Sequence, residues 1–360
     1  MVRRDSKPEP SAEAHRPGLA EDSSPISRVR SWLHTQYPSW EAGDDLGPTR
    51  LAVLGGHRPG RATLMVFRGR ERWPSIAVKL VTTPEDATHL SREAKSLDLA
   101  NRELAGLMAL PPPRHLGSIH ERQFAALAIT TVRGTRANLP DLTKPKPTRR
   151  DVRSLKSHVH AVRHWSRSLR EATVSDSATR DGRHLVDRIH RFIDLGDLPD
   201  DVIPRFQSLA VAMGRYPAKW SPRWQHGDVA PGNVLWRRGG IRLVDWEAAS
   251  PSHDPWRDDS YLILSLARAA QHETAAPSVA AALRTTFGSG RWAGQVAESS
   301  YREDWPHPIP VSWAVMATTV EHALEGEEYG TTTSFWRDLA VDLLVDEELR
   351  EMCKWLVPRW

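Results

Sequence analysis

Three residues in one short stretch have the types and spacing for phosphoryl chemistry. Asp228 and Asn233 stand five positions apart in a loop punctuated by Pro231 and Gly232, and Asp245 follows beyond a turn at Gly239-Gly240. A carboxylate, a carboxamide and a second carboxylate are hard oxygen donors that suit Mg²⁺ with bound phosphates. One carboxylate is then left to orient an attacking hydroxyl. The apolar run Ile241, Leu243, Val244 reads as a strand that delivers Asp245 to its end. Turn chemistry explains Gly, Pro, Asn and Asp in such a loop. It does not explain a strand and a second Asp placed just beyond it.

The stretch 226–236, HGDVAPGNVLW, followed by LVDWE at 243–247, resembles the aminoglycoside phosphotransferase and choline kinase family, which has the protein-kinase-like fold. The resemblance implies transfer of the γ-phosphate of ATP to a hydroxyl of a small molecule of aminoglycoside, sugar or amino-alcohol type. It also implies that Asp228 is the catalytic base and that Asn233 and Asp245 are ligands of Mg²⁺. His226 and Asp258 would support the catalytic loop, Asp258 as the last residue of Asp254-Pro255-x-x-Asp258. Two other readings compete. A silent nucleotide-binding regulatory module is disfavoured by the intact Asp228, Asn233 and Asp245. A protein-directed kinase is disfavoured because D-F-G and A-P-E are missing and residues 246–258 are too few for an activation segment.

A nucleotide site of this kind needs a phosphate-covering hairpin, a strand-borne lysine and a helix-borne glutamate. Strands are expected over 50–54, 62–67 and 76–81, with Gly55, Gly56 and Gly60 in the first turn. These glycines let backbone approach phosphates, although their spacing is not G-x-G-x-x-G. Lys79 lies in the third strand and is expected to pair with Glu93, near the start of a helix running past Leu90 to Met108. A further strand over 124–132 places Thr131 and Val132 against the purine edge. The run Gly55 to Ala62 imitates a P-loop, but Arg61 and Ala62 replace its Lys and hydroxyl, and a strand follows where a helix is required.

The expected architecture is α+β, bilobal and, by resemblance, protein-kinase-like. A disordered tail spans 1–24, a small β-rich nucleotide-binding lobe 25–132, and a larger, mainly helical catalytic and substrate lobe 133–360. An amphipathic helix from Pro25 presents Ile26, Val29, Trp32 and Leu33, and the Pro-rich basic stretch 133–150 reads as a linker. Helical spacing then runs from Val152 to Leu169 and from Leu185 to Ile193. The 49 cations against 45 anions leave +4, too near balance for a dedicated nucleic-acid coat. A single cysteine, Cys353, excludes an intrachain disulfide framework, and no apolar run is long enough to span a membrane. A cytoplasmic enzyme without nucleic-acid or membrane partners is expected, and its oligomeric state stays open.

Other clusters have plainer explanations. His158, His160 and His164 read as a solvated helix surface, because no third metal ligand shares their face. Trp236, Trp246 and Trp256 read as core, with a cation–π wall as the alternative. Asp259, Glu303, Asp304, Glu321, Glu325, Glu327 and Glu328 fit either a pocket for a cationic substrate or an exposed acidic face.

Overall fold

The structure is a computed structural model. It describes all residues except 1–23, 37–49, 56–58, 68, 109–110, 174–182, 197, 216–219, 253, 308, 329–333 and 357–360. Five antiparallel strands form the first sheet: β1 (Arg50–Gly55), β2 (Arg61–Phe67), β3 (Ile76–Val81), β4 (His115–His120) and β5 (Ala125–Thr130). Their order is β1-β2-β3-β5-β4. Apart from Lys79, β3 is apolar and buried because both of its faces are covered. Ile76, Val78 and Leu80 share a core with Val29 and Leu33 of α1 (Pro25–Gln36). Ala77 and Val81 join the opposite core with Leu90, Ala94 and Leu97 of α2 (Pro84–Glu103). The two-residue period of a strand puts Lys79 on the α2 face.

Several boundaries differ from expectation for local reasons. Ser24, expected in the tail, caps α1 by accepting from the Ser27 N–H at 3.3 Å; the remaining tail lies outside the described residues. Ile26 is exposed at 39%, whereas Val29 and Leu33 are buried. α2 starts earlier than the apolar spacing suggests, because Thr83 caps it by accepting from the Asp86 N–H and Pro84 opens the first turn. It also ends earlier, at Glu103; Gly106 turns the chain at φ +76° and Leu107 is exposed. β4, HLGSIH, had no strand signature in its sequence and exists through its pairing with β5.

The expected linker is largely a docked segment. β6 (Thr135–Arg136) pairs with β8 (Val234–Arg237), Leu142 is 2% exposed, and α3 (Arg149–Ala172) begins inside the stretch. Thr148 and Asp151 form its capping box, and Lys144 bonds Asp151 at 3.0 Å. Helices α4 (Arg183–Asp194), α5 (Ile203–Gly214) and α6 (Arg257–Thr274) follow, then α7 (Val279–Phe287), α8 (Trp292–Glu303), α9 (Val311–Glu328), α10 (Ser334–Val345) and α11 (Glu347–Met352). Between α5 and α6 lie β7 (Arg223–Gln225), β8, β9 (Gly240–Leu243) and β10 (Ser250–Ser252). β6, β8 and β9 form one small sheet, and β7 and β10 another. Among the described residues no helix is long and apolar enough to cross a membrane.

His158 is not on a solvated surface as expected; it is 1% exposed, and neither ring nitrogen has a hydrogen-bond partner. Burial holds its pKa down at about 4 against an ordinary 6.5. A folded-state pKa below the unfolded one favours the fold fully above pH 6.5, and that advantage is lost as pH falls toward 4. His158→Leu is therefore expected to remove roughly 2–3 kcal/mol of acid sensitivity between pH 7 and pH 4. Urea unfolding at the two pH values checks this. Equal slopes with pH in variant and wild type would refute it.

Candidate active site

The loop between β7 and β8 carries Asp228 and Asn233. Its first turn needs Gly227: φ is +79°, and a Cβ there would stand 2.5 Å from the Ala248 carbonyl. Asp258, at the start of α6 and fully buried, receives the N–H groups of His226 and Gly227, each at 2.8 Å. The Asp258 N–H in turn donates to Gln225 Oε1 at 3.1 Å, which ties the helix back to β7. Burial raises the Asp258 pKa to about 6 against the pull of those two N–H donors.

His226 is buried beneath the loop, with ring centroids 5.0 Å from Trp246 and 6.0 Å from Trp165. Burial lowers its pKa to about 4, so it is neutral, and its Nδ1 accepts from the Asp228 N–H at 3.3 Å. Its contacts are those of a loop support.

Within the loop, Asn233 Nδ2 donates to Asp228 Oδ2 at 2.8 Å and to the Asp228 carbonyl at 3.2 Å. The Ala230 N–H bonds Asp228 Oδ1 at 3.3 Å, and the Tyr261 hydroxyl is directed at the same carboxylate. Burial, and next the nearby Asp245, raise the Asp228 pKa. Asp245 lies two residues beyond β9 with φ +68°, a left-handed conformation that few non-glycine residues adopt.

Lys79 is where the two parts of the site meet. Its Nζ lies 2.6 Å from Glu93 Oε2 and 2.7 Å from Asp245 Oδ1. Glu93 is 1% exposed and its other oxygen accepts from the Trp246 N–H at 3.4 Å. Burial opposes the charge on Lys79, but Glu93 and Asp245 outweigh it and raise its pKa. Burial likewise works against the Asp245 carboxylate, and Lys79 brings its pKa below the ordinary value. Glu103, the other glutamate on α2, instead accepts from Trp224 Nε1 at 2.7 Å.

Asn233 and Asp245 fit magnesium by donor chemistry. Asn233 directs its amide nitrogen at Asp228, so its carboxamide oxygen remains as a ligand, and the Asp245 carboxylate supplies negative charge. Such a pair leaves the other positions to phosphate and water, as the ion prefers.

The structure narrows which backbone groups could meet a purine edge. Thr131 commits its N–H to the Ser75 carbonyl at 3.2 Å and its hydroxyl to the Pro74 carbonyl at 2.5 Å. It can therefore offer only its own carbonyl. Val132 is half-buried beside it. Gly55 ends β1 opposite Ala62, and Gly56 lies outside the described residues.

A cavity of about 450 Å³ opens on Asp228, between α2, α6, α9 and α10. Tyr261, Arg268, His322, Glu325 and Trp336 line it, with Arg92 and Lys95 from α2. Of these, only Glu325 had been singled out in the sequence. Tyr261 was within reach of pattern reasoning, since it follows Asp258 by three residues and so shares its helix face; the others carried no signal.

Of the acidic residues weighed for a cationic-substrate pocket or an exposed acidic face, Glu325 lines the cavity, and Asp259, Glu303, Asp304 and Glu321 do not. Asp259 is buried against Arg170 at 3.1 Å and His307 at 2.6 Å, and Glu321 is buried beside Arg257 at 3.4 Å. Glu303 is exposed, Asp304 pairs with Arg167, and the side chains of residues 327 and 328 lie outside the described set. Trp246 and Trp256 are core residues, 1% and 0% exposed.

A strand lysine bonded to a helix glutamate and to Asp245, with Asp228 and Asn233 paired in a loop, is an arrangement suited to phosphoryl transfer. The profile of the phosphotransferase enzyme family matches residues 56–294, and the chain belongs to that family. No curated protein matches the sequence.

Solved structures that align with this chain include a GDP complex of a mutant aminoglycoside 2′-phosphotransferase IIIa, at 17% identity and TM-score 0.47, over 89% of this chain and 96% of that one. A choline/ethanolamine kinase family protein from Mesorhizobium loti aligns at 17% identity and TM-score 0.42, over 92% of this chain and 94% of that one. Choline kinase from Cryptosporidium parvum aligns at 11% identity and TM-score 0.44, over 92% and 99%.

Proposed function

We propose that this enzyme transfers the γ-phosphate of ATP to a hydroxyl of a small molecule, of aminoglycoside, sugar or amino-alcohol type, in the cytoplasm. The observation that carries the reading is the Lys79–Glu93–Asp245 arrangement beside a cavity opening on Asp228. ATP lies between a nucleotide lobe, 25–132, and a catalytic lobe, 133–360. The Thr131 carbonyl and the Val132 backbone meet the purine edge, and the turn at Gly55 and Gly56 covers the phosphates.

Lys79 binds the α- and β-phosphates, and Glu93 holds it in place. Asn233 and Asp245 hold magnesium, which when bound neutralises charge on the phosphate oxygens. Asp228 accepts a hydrogen bond from the acceptor hydroxyl and aligns it with the phosphorus; Asn233 fixes the carboxylate for that task. The transition state of such a transfer is loose, so alignment and charge neutralisation carry more of the rate than proton removal. Residues 246–252 hold a turn and β10, and α6 begins at Arg257, which leaves little room for a protein-binding activation loop.

Calorimetric titration with Mg·ATP tests the nucleotide site without knowledge of the acceptor. Lys79→Ala and Asp245→Asn are each expected to weaken binding by about tenfold to a hundredfold, since each removes a charged contact to phosphate or metal. Wild-type affinity in both variants would overturn the assignment.

A further inference from the structure

The charges around the acceptor cavity are arranged for a negatively charged guest. Of its carboxylates, Glu325 is held by a buried arginine. Arg257 holds Glu325 at 2.8 Å, with His322 at 3.2 Å, and Glu247 lies 3.5 Å from His89. Burial opposes the Glu325 carboxylate, yet Arg257 keeps its pKa low, at about 2. Asp228 is bonded to Asn233 and faces the position of the acceptor hydroxyl.

The cations are different. Lys95 and Arg268 both line the cavity, both are exposed, and among the described residues neither has a carboxylate partner. Arg268 is set in place by lying 5.1 Å over the Phe335 ring, and Arg92 stands one helical turn before Lys95 on the same face of α2.

We propose that the acceptor carries, besides its hydroxyl, an anionic group, carboxylate or phosphate, which Lys95 and Arg268 bind at the far end of the cavity from Asp228. The inference rests on the phosphotransferase reading above and narrows its substrate to a sugar-acid or sugar-phosphate type. Arg268 follows Tyr261, which is directed at Asp228, by seven residues on α6. At 1.5 Å per residue that is about 10 Å along the axis, the span of a hexose with a charged terminus. His322 and Trp336 stack at 4.7 Å and present a flat wall suited to the carbon face of such a sugar. A polycationic acceptor would meet unneutralised Lys95 and Arg268, and Glu325 is already held by Arg257.

The test is binding of probes that share one carbon skeleton: D-gluconate and D-glucose 6-phosphate as the two anionic arms, D-glucose as neutral, and D-glucosamine as cationic, with kanamycin as a polycation. Each is titrated by calorimetry into the enzyme loaded with Mg²⁺ and a non-hydrolysable ATP analogue. At least one anionic probe is expected to bind about tenfold or more tightly than glucose and glucosamine, as a charge-assisted contact requires. Lys95→Glu/Arg268→Glu is expected to abolish that preference, and Lys95→Gln/Arg268→Gln to reduce it.

Kanamycin or glucosamine binding best, an anionic preference that survives charge reversal, or no preference for negative charge among the probes would each overturn the proposal. Loading with the ATP analogue is a separate readout. Failure of the wild type to load would sink the phosphotransferase reading itself, whereas normal loading without anion preference sinks only the narrower one.

Discussion

Asp228→Asn is expected to lower turnover by about a thousandfold while leaving Mg·ATP affinity at the wild-type value. The carboxylate opens on the cavity, and in the proposed reading the charged contacts to the nucleotide come from Lys79 and Asp245. Its contribution is realised when the hydroxyl is held in line and begins to lose its proton, so the loss falls on the transition state and not on the ground-state complex. Asparagine keeps the volume but accepts at one oxygen only, and the Asn233 amide already donates to Asp228 Oδ2. Slow ATP hydrolysis with water in the acceptor position supplies a rate even before the acceptor is known. A variant that hydrolyses ATP at the wild-type rate would show that Asp228 is not the orienting base. Weakened Mg·ATP binding would place it with the metal ligands instead.

The second large effect is expected at a residue that touches neither nucleotide nor acceptor. Asp258→Ala leaves the His226 and Gly227 N–H groups buried without acceptors and should destabilise the protein by about 3 kcal/mol. Turnover should fall about a hundredfold, because those two bonds set the position of Asp228 and small misplacements are expensive in in-line transfer. Asp258→Asn keeps one acceptor oxygen but turns an amide donor toward the other N–H, so it should fall between alanine and wild type on both measures. Urea unfolding and the same hydrolysis assay check the two arms. Wild-type turnover in Asp258→Ala would mean that the loop holds its geometry without this brace.

How far the site was legible depends on how local its signals are. The Asp228–Asn233 spacing, the Gly239 turn and the β9 pattern all act over a few residues, so sequence placed the loop and the strand end correctly. Lys79 was legible because it lies in an apolar strand-like run, and Glu93 because it falls fourteen residues later, near the start of the helical spacing that begins at Leu90. Their contact at 2.6 Å adds what spacing could only suggest. β4 was missed, since a strand held by pairing needs no apolar alternation of its own. The docked stretch 133–150 was taken for a linker because its proline and basic content resembles one, while its anchors, Leu142 and the β6–β8 bond pair, lie in partners distant in sequence.

By itself, then, the sequence determined much of the order of elements, the Asp228–Asn233 loop with Asp245 beyond it, and the strand that carries Lys79, all of which follow from spacing and side-chain period. Only tertiary structure decided which charges remain available. Asp259 and Glu321 look like Lys95 and Arg268 in a sequence, as isolated charges on helices. Burial against Arg170 and Arg257 cancels the first two, whereas Lys95 and Arg268 are left facing a cavity. Neutralisation is a property of pairs brought together from far along the chain, and no local pattern encodes it.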